Sequence, residues 1–150
     1  MKTTIYLTIF FAILFNVFAQ SIAAQENMTF CSVPFTDVHF DTKSFWAKRL
    51  KINREVSIPH NYKWCEETGR FTNFAKAAKL MGGDFKGIYF NDSDVYKLLE
   101  GIAYSLADHP DPALEKQADD VIAWIAAAQQ PDGYLNSYFS LREQDKKWTQ

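Results

Sequence analysis

Apolar side chains recur at helical spacing through Val95, Leu98, Leu99, Ile102, Ala103 and Leu106, which predicts an amphipathic helix over residues 92–108. The turn His109-Pro110-Asp111-Pro112 closes it, and Pro112 suits the first turn of a following helix, where its missing N–H would go unpaired anyway. That second helix should run to about residue 130, with Leu114, Ala118, Val121, Ile122 and Ile125 on one face. From Val121 to Ala128 it is apolar all round, because Ala123, Trp124, Ala126 and Ala127 fill the other side. A helix that is greasy on every face expects protein on every face. Pro131 then stops it, Asp132-Gly133 makes a turn, and Tyr134 and Leu135 tuck back.

The pattern is weaker towards the N-terminus. A loop-like entry covers residues 25–41, and a helix is predicted over 42–54, where Phe45, Trp46, Arg49 and Leu50 share a stripe. Pro59 breaks that pattern, so residues 60–69 read as a turn-rich or short helical connection. Phe74, Ala77, Ala78 and Met81 predict a helix over 71–81, with Gly82-Gly83 as its left-handed stop. No strand of convincing length and no exact repeat is present. The expected fold class is all-α, and its helix–turn–helix rhythm resembles one layer of a helical array or toroid.

The first residues stand apart from that fold. Lys2, the apolar run from Ile5 to Phe18 and the small residues around Ser21-Ile22-Ala23-Ala24 describe a cleaved secretory signal over residues 1–24, with an uncleaved membrane anchor as the alternative, leaving one domain over 25–150. The expected location is secreted or periplasmic, with no membrane association after cleavage. Removing Lys2, the only charge in the signal, moves the formal net charge from −2 to −3. That mild acidity and the lack of a basic patch argue against a nucleic-acid partner. Thirteen Phe, seven Tyr and four Trp make the chain rich in rings, which either fill a helical core or serve as stacking platforms for sugars. Cys31 and Cys65 are open to a disulfide in an oxidising compartment or to remaining as free thiols. Neither lies in a Cys-x-x-Cys pattern, and the histidines are scattered, so no local metal signature exists.

Candidate chemistry gathers at Asn91-Asp92-Ser93-Asp94-Val95-Tyr96-Lys97, where two carboxylates, a hydroxyl and an ammonium open the helix over 92–108. Asp92 and Ser93 fit an N-cap, and Asp94 fits the first turn, where the helix dipole stabilises a carboxylate by about 0.3–1 kcal/mol. In the functional alternative one carboxylate caps, while the other joins Lys97 in binding ligand hydroxyls. Asp132 is a turn residue or, with Tyr134, a ligand group at a helix end. His60 is a surface loop residue or a sugar-binding or acid–base group. Asn27-Met28-Thr29 and Asn91-Asp92-Ser93 are glycosylation sequons in a eukaryotic host. The substrate-binding candidates are thus Asp92, Ser93, Asp94, Lys97, His60 and Asp132, and no residue is assigned a catalytic or metal-binding role.

Several segments in order resemble one family: Ile58-Pro59-His60, the run from Glu67 to Phe74, Asp84-Phe85-Lys86-Gly87-Ile88-Tyr89-Phe90, Asp92 to Lys97, Tyr104-Ser105-Leu106, His109-Pro110-Asp111-Pro112 and Ala128 to Asn136. Together they resemble the N-terminal region of glycoside hydrolase family 127, the β-L-arabinofuranosidases. The resemblance implies an (α/α)6 toroid and a retaining hydrolase releasing terminal L-arabinofuranose from arabinose-containing glycans. It also implies a cysteine nucleophile and a zinc ion held by three cysteines and a glutamate, all C-terminal of the matching segments. Cys31 and Cys65 occupy none of those positions. The family's His-Glu-Leu-Tyr segment should follow soon after Trp148 and is not reached. The expectation is therefore part of a toroid, incomplete in this chain and inactive alone. The alternatives are a non-catalytic helical carbohydrate- or partner-binding module, or a helical-repeat domain with no ligand.

Overall fold

The computed structural model describes residues 31–149; the predicted signal over 1–24 and the sequon at Asn27 lie outside them. From Thr36 onward the chain forms a compact helical unit, and no strand occurs among the described residues. Its helices are α1 (Phe45–Ile52), α2 (Ile58–Glu67), α3 (Arg70–Ala77), α4 (Asp92–Asp108), α5 (Pro112–Ala128) and α6 (Ser137–Arg142). The all-α class follows directly from these elements.

The two long helices form where the spacing and caps place them. The Asp111 carboxylate accepts from the N–H groups of Ala113 and Leu114 at 3.0 and 3.1 Å, satisfying two of α5's unpaired first-turn donors. Val95, Leu98 and Ile102 of α4 meet Leu114, Ala118 and Val121 of α5 in the core, with Phe71 and Phe74 of α3 and Ile58 and Cys65 of α2. Each large apolar side chain buried there contributes about 1.5–3 kcal/mol relative to exposure. Ala103 of the expected stripe is exposed, and so is Ile122 of α5 at 49%.

Three local expectations are corrected. Pro59 does not break the helix, because a π-helical segment at Asn53–Ser57 carries α1 into α2. There the N–H of Ile58 bonds the carbonyl of Asn53, five residues back, and Pro59 falls in the first turn of α2, where a missing N–H costs little. Residues 60–69 are consequently mostly helix, and Phe45 and Trp46 stay 62% and 57% exposed instead of joining a buried stripe. The stop of α3 also comes before Gly82-Gly83. Lys79 takes the left-handed conformation (φ 62°), its N–H bonding Lys76 and the N–H of Leu80 bonding Ala75, which is a Schellman ending built without glycine. Finally, the unpredicted α6 is capped by Asn136, whose side chain accepts from the N–H of Phe139 at 3.0 Å.

The long connection from α3 to α4 is tied down by buried polar side chains. Asn73, fully buried, accepts from the N–H of Lys86 at 3.0 Å and donates to the Lys86 carbonyl at 2.9 Å, so one amide serves both backbone groups as a strand neighbour would. Asn91 donates to the same carbonyl at 3.1 Å, and the Lys76 ammonium donates to the Asp84 carbonyl at 2.8 Å. Gly87 is required at this crowding: its φ is +97°, and a Cβ there would stand 1.9 Å from the Asn91 amide nitrogen. Burial of Asn91 (2% exposed) also keeps its sequon from a modifying enzyme in the folded chain. Asn73→Leu leaves both Lys86 groups unpaired and should destabilise the chain by about 2–4 kcal/mol in urea unfolding. A loss below about 0.5 kcal/mol would show that the connection finds other partners.

Candidate functional site

The start of α4 separates residues that the sequence places side by side. Asn91 is the N-cap, with no side-chain capping bond. The Asp92 carboxylate instead reaches across to α6, accepting from the N–H of Ser137 at 2.6 Å and from its hydroxyl. Ser137 is the first residue of α6, so Asp92 satisfies a donor at another helix's N-terminus and not at its own. Burial raises the Asp92 pKa, and the two Ser137 donations pull against that rise. Next to it, burial and then the Asp92 charge push the Tyr96 phenol up to about 12.

Asp94 and Lys97 point into a groove between α2 and α4, with a volume of about 670 Å³. That size is within the usual range for small-molecule sites. Ile58, Cys65 and Leu98 supply apolar lining, while Asn53, Asn61, Thr68 and the half-exposed Trp64 supply polar and aromatic groups. The Arg70 guanidinium pairs with Asp94 at 2.9 Å and also donates to the Thr68 hydroxyl, which orients that carboxylate. Both partners are partly exposed, so the pair contributes at most about 1 kcal/mol to stability. Lys97 has no ion-pair partner among the described residues. Burial pushes the Cys65 thiol up from its ordinary pKa, with the nearby Arg70 charge pulling against that rise.

The other candidates lie outside the groove. Asp132 sits in the turn after α5, where it accepts from the N–H of Tyr134 at 3.1 Å and from the Trp148 indole at 3.5 Å. The Tyr134 N–H holds its carboxyl below the ordinary value. The Tyr134 ring meets Trp148 edge-on at 4.8 Å, with the Lys147 ammonium 5.5 Å from its centroid. His60 is exposed on α2, its ring 6.2 Å from Trp64. Ser93 is half-buried in the first turn of α4 and is not part of the groove lining. Trp64, Asn61 and Thr68 were missed as site residues. The signal was present in Ile58, Tyr62 and Cys65 at helical spacing, but Pro59 obscured it.

Both cysteines are unpaired, Cys31 exposed and Cys65 buried. No group of three or more His, Cys, Asp or Glu side chains among the described residues converges to hold a metal. These residues therefore do not fit the zinc that the resemblance implies.

This helical unit, its groove lined by Trp64, apolar side chains and polar groups, is similar to known proteins. The model of the β-L-arabinofuranosidase GH127 catalytic domain matches residues 37–150, and the chain belongs to that family. It is 47% identical over 122 residues to the non-reducing end β-L-arabinofuranosidase of Bifidobacterium longum subsp. longum, covering 67% of this chain and 18% of that protein. The crystal structure of a GH127 β-L-arabinofuranosidase from Geobacillus stearothermophilus T6 superposes with a TM-score of 0.68 at 41% identity, over 70% of this chain and 18% of that one. A second solved GH127 β-arabinofuranosidase gives a TM-score of 0.64 at 47% identity, over 72% and 17%. The chain thus spans less than a fifth of the length of these relatives.

The Asp92–Ser137 contact carries a pH signature. Because the folded-state pKa of Asp92 lies above the ordinary value of 3.8, the folded chain holds this proton more tightly than the unfolded one. Its contribution to stability is greatest below 3.8 and falls as pH rises from there through the raised folded pKa. Relative to Asp92→Asn, the parent should lose stability over that window and then run parallel at higher pH, as read by urea midpoints. Parallel curves throughout would show that Asp92 titrates alike in both states.

Proposed function

We propose that this chain forms the N-terminal part of a retaining β-L-arabinofuranosidase catalytic domain, acting on terminal L-arabinofuranose of arabinose-containing glycans. The observation that carries the reading is the family match over residues 37–150, supported by 47% identity to a curated β-L-arabinofuranosidase. No described residue is given the nucleophile or zinc-ligand role that the family resemblance implies. This segment's own contribution is binding and positioning. In that role the Asp94 carboxylate accepts from sugar hydroxyls while Arg70 holds it in place, and Lys97 donates to them. Asp92 fixes α6 and the turn bearing Asp132 and Tyr134 against the start of α4. The apolar run from Ile5 to Phe18 supports export to a secreted or periplasmic location.

The groove with its exposed Trp64 also supports a second reading, in which the chain binds a glycan without turning it over. A chimaera decides between the two. Residues 37–150 should replace the corresponding segment of the Bifidobacterium relative and retain release of arabinose from a synthetic β-L-arabinofuranoside, whereas the isolated chain should release none. In that chimaera, Asp94→Ala should raise KM by roughly tenfold, the loss of one charged hydrogen-bond acceptor. A folded chimaera that binds arabinofuranosides without hydrolysing them would favour the binding module.

A further inference from the structure

The π-helical segment at Asn53–Ser57 decides which side chain the end of α1 hands to the groove. In an α-helix the residue one turn before Ile58 is four positions back, at Arg54; in a π turn it is five back, at Asn53. The Ile58 N–H bonds the Asn53 carbonyl, so the wider turn is the one adopted. Ile58, Asn61, Cys65 and Thr68 follow as a stripe along α2, and Asn53 joins them in lining the groove. Arg54 is turned away. It lines a separate hollow of about 320 Å³ between α2 and the start of α5, together with Tyr62, Glu66 and Asp111. Single π turns within α-helices recur at functional sites.

The register also sorts charge. Arg54 shares its hollow with two carboxylates and lies 3.7 Å from a third, that of Glu55. The groove already holds Arg70 and Lys97 against the single carboxylate of Asp94. A second guanidinium there would face like charge and compete with Arg70, which binds Asp94 Oδ2 at 2.9 Å. Asn53 brings no charge. Its exposed side-chain amide, like that of Asn61, makes no hydrogen bond to another described residue. An amide both donates and accepts, so an uncharged, hydroxylated ligand uses both halves of it, whereas an anion uses the donor half alone.

We propose that Asn53 is a specificity-determining residue of the groove, placed by the π turn to bind sugar hydroxyls beside Asp94 while Arg54 is held outside. The sugar rests on the arabinofuranosidase reading above; the exchange of Asn53 for Arg54 rests on the helix register alone.

Two measurements on the full chain test it. The first needs no ligand: NMR coupling across the hydrogen bond should join the Ile58 amide to the Asn53 carbonyl, and coupling to the Arg54 carbonyl instead would overturn the proposal. The second is titration with an arabinofuranosyl disaccharide, following nitrogen-15 signals of the side-chain amides. Those of Asn53 and Asn61 should shift together. Asn53→Ala should weaken the dissociation constant roughly fivefold, and Asn53→Arg at least as much. Asn53→Gln and Arg54→Ala should stay within about twofold of the parent. An unmoved Asn53 signal, equal affinity in Asn53→Ala, or a larger loss in Arg54→Ala than in Asn53→Ala would each sink the idea. Turnover by the chimaera separates this from the family reading: an active chimaera whose KM ignores Asn53→Ala removes the role of Asn53 and leaves the activity standing. A shifted Asn53 signal in the full chain beside an inactive chimaera does the reverse.

Discussion

One buried amide decides the shape of this chain's polar end. Asn73 gives both of its hydrogen-bonding groups to the backbone of Lys86, replacing the partners that a strand would have supplied. A connection of this length with no secondary structure of its own otherwise exposes or strands its backbone donors and acceptors. With Lys86 fixed, Asn91 can reach the same carbonyl, α4 starts at a defined point, and Asp92 is delivered to Ser137. The start of α6 and the turn after α5 inherit their positions from that chain of contacts.

What the sequence made legible follows from how local each signal is. For α4 and α5, apolar spacing and a proline-assisted start act within the element itself, and both formed where the spacing placed them. Pro59 was misjudged because its effect depends on the turn before it; a π-helical register there lets the helix pass. Lys79 was overlooked because two glycines nearby were the better left-handed candidates on intrinsic grounds. The hardest residue was Asp92. Its neighbours in sequence made it a cap for its own helix, yet its partner lies in α6, and no local pattern encodes a contact across that distance.

The same division runs through the candidate site. Asp94 and Lys97, spaced by one helical turn, were expected on one face and do share a groove. Asp132, expected in a turn at a helix end, lies in one, while His60, expected in a loop after Pro59, lies on α2 with an edge contact to Trp64. Large apolar side chains from Trp46 and Val56 to Ile122 are exposed among the described residues. The relatives are more than five times as long as the matched segment.

Gly101 gives the groove a property of its own. It sits inside α4, where glycine costs about 0.5–1 kcal/mol relative to alanine, and it borders the opening between α2 and α4. A Cβ built there meets no atom within 4 Å, so the backbone does not demand glycine at this point. At this position the groove therefore has room for a side chain that its lining does not use. A larger residue there would narrow the opening from the α4 side, its Cβ meeting none of the surrounding atoms.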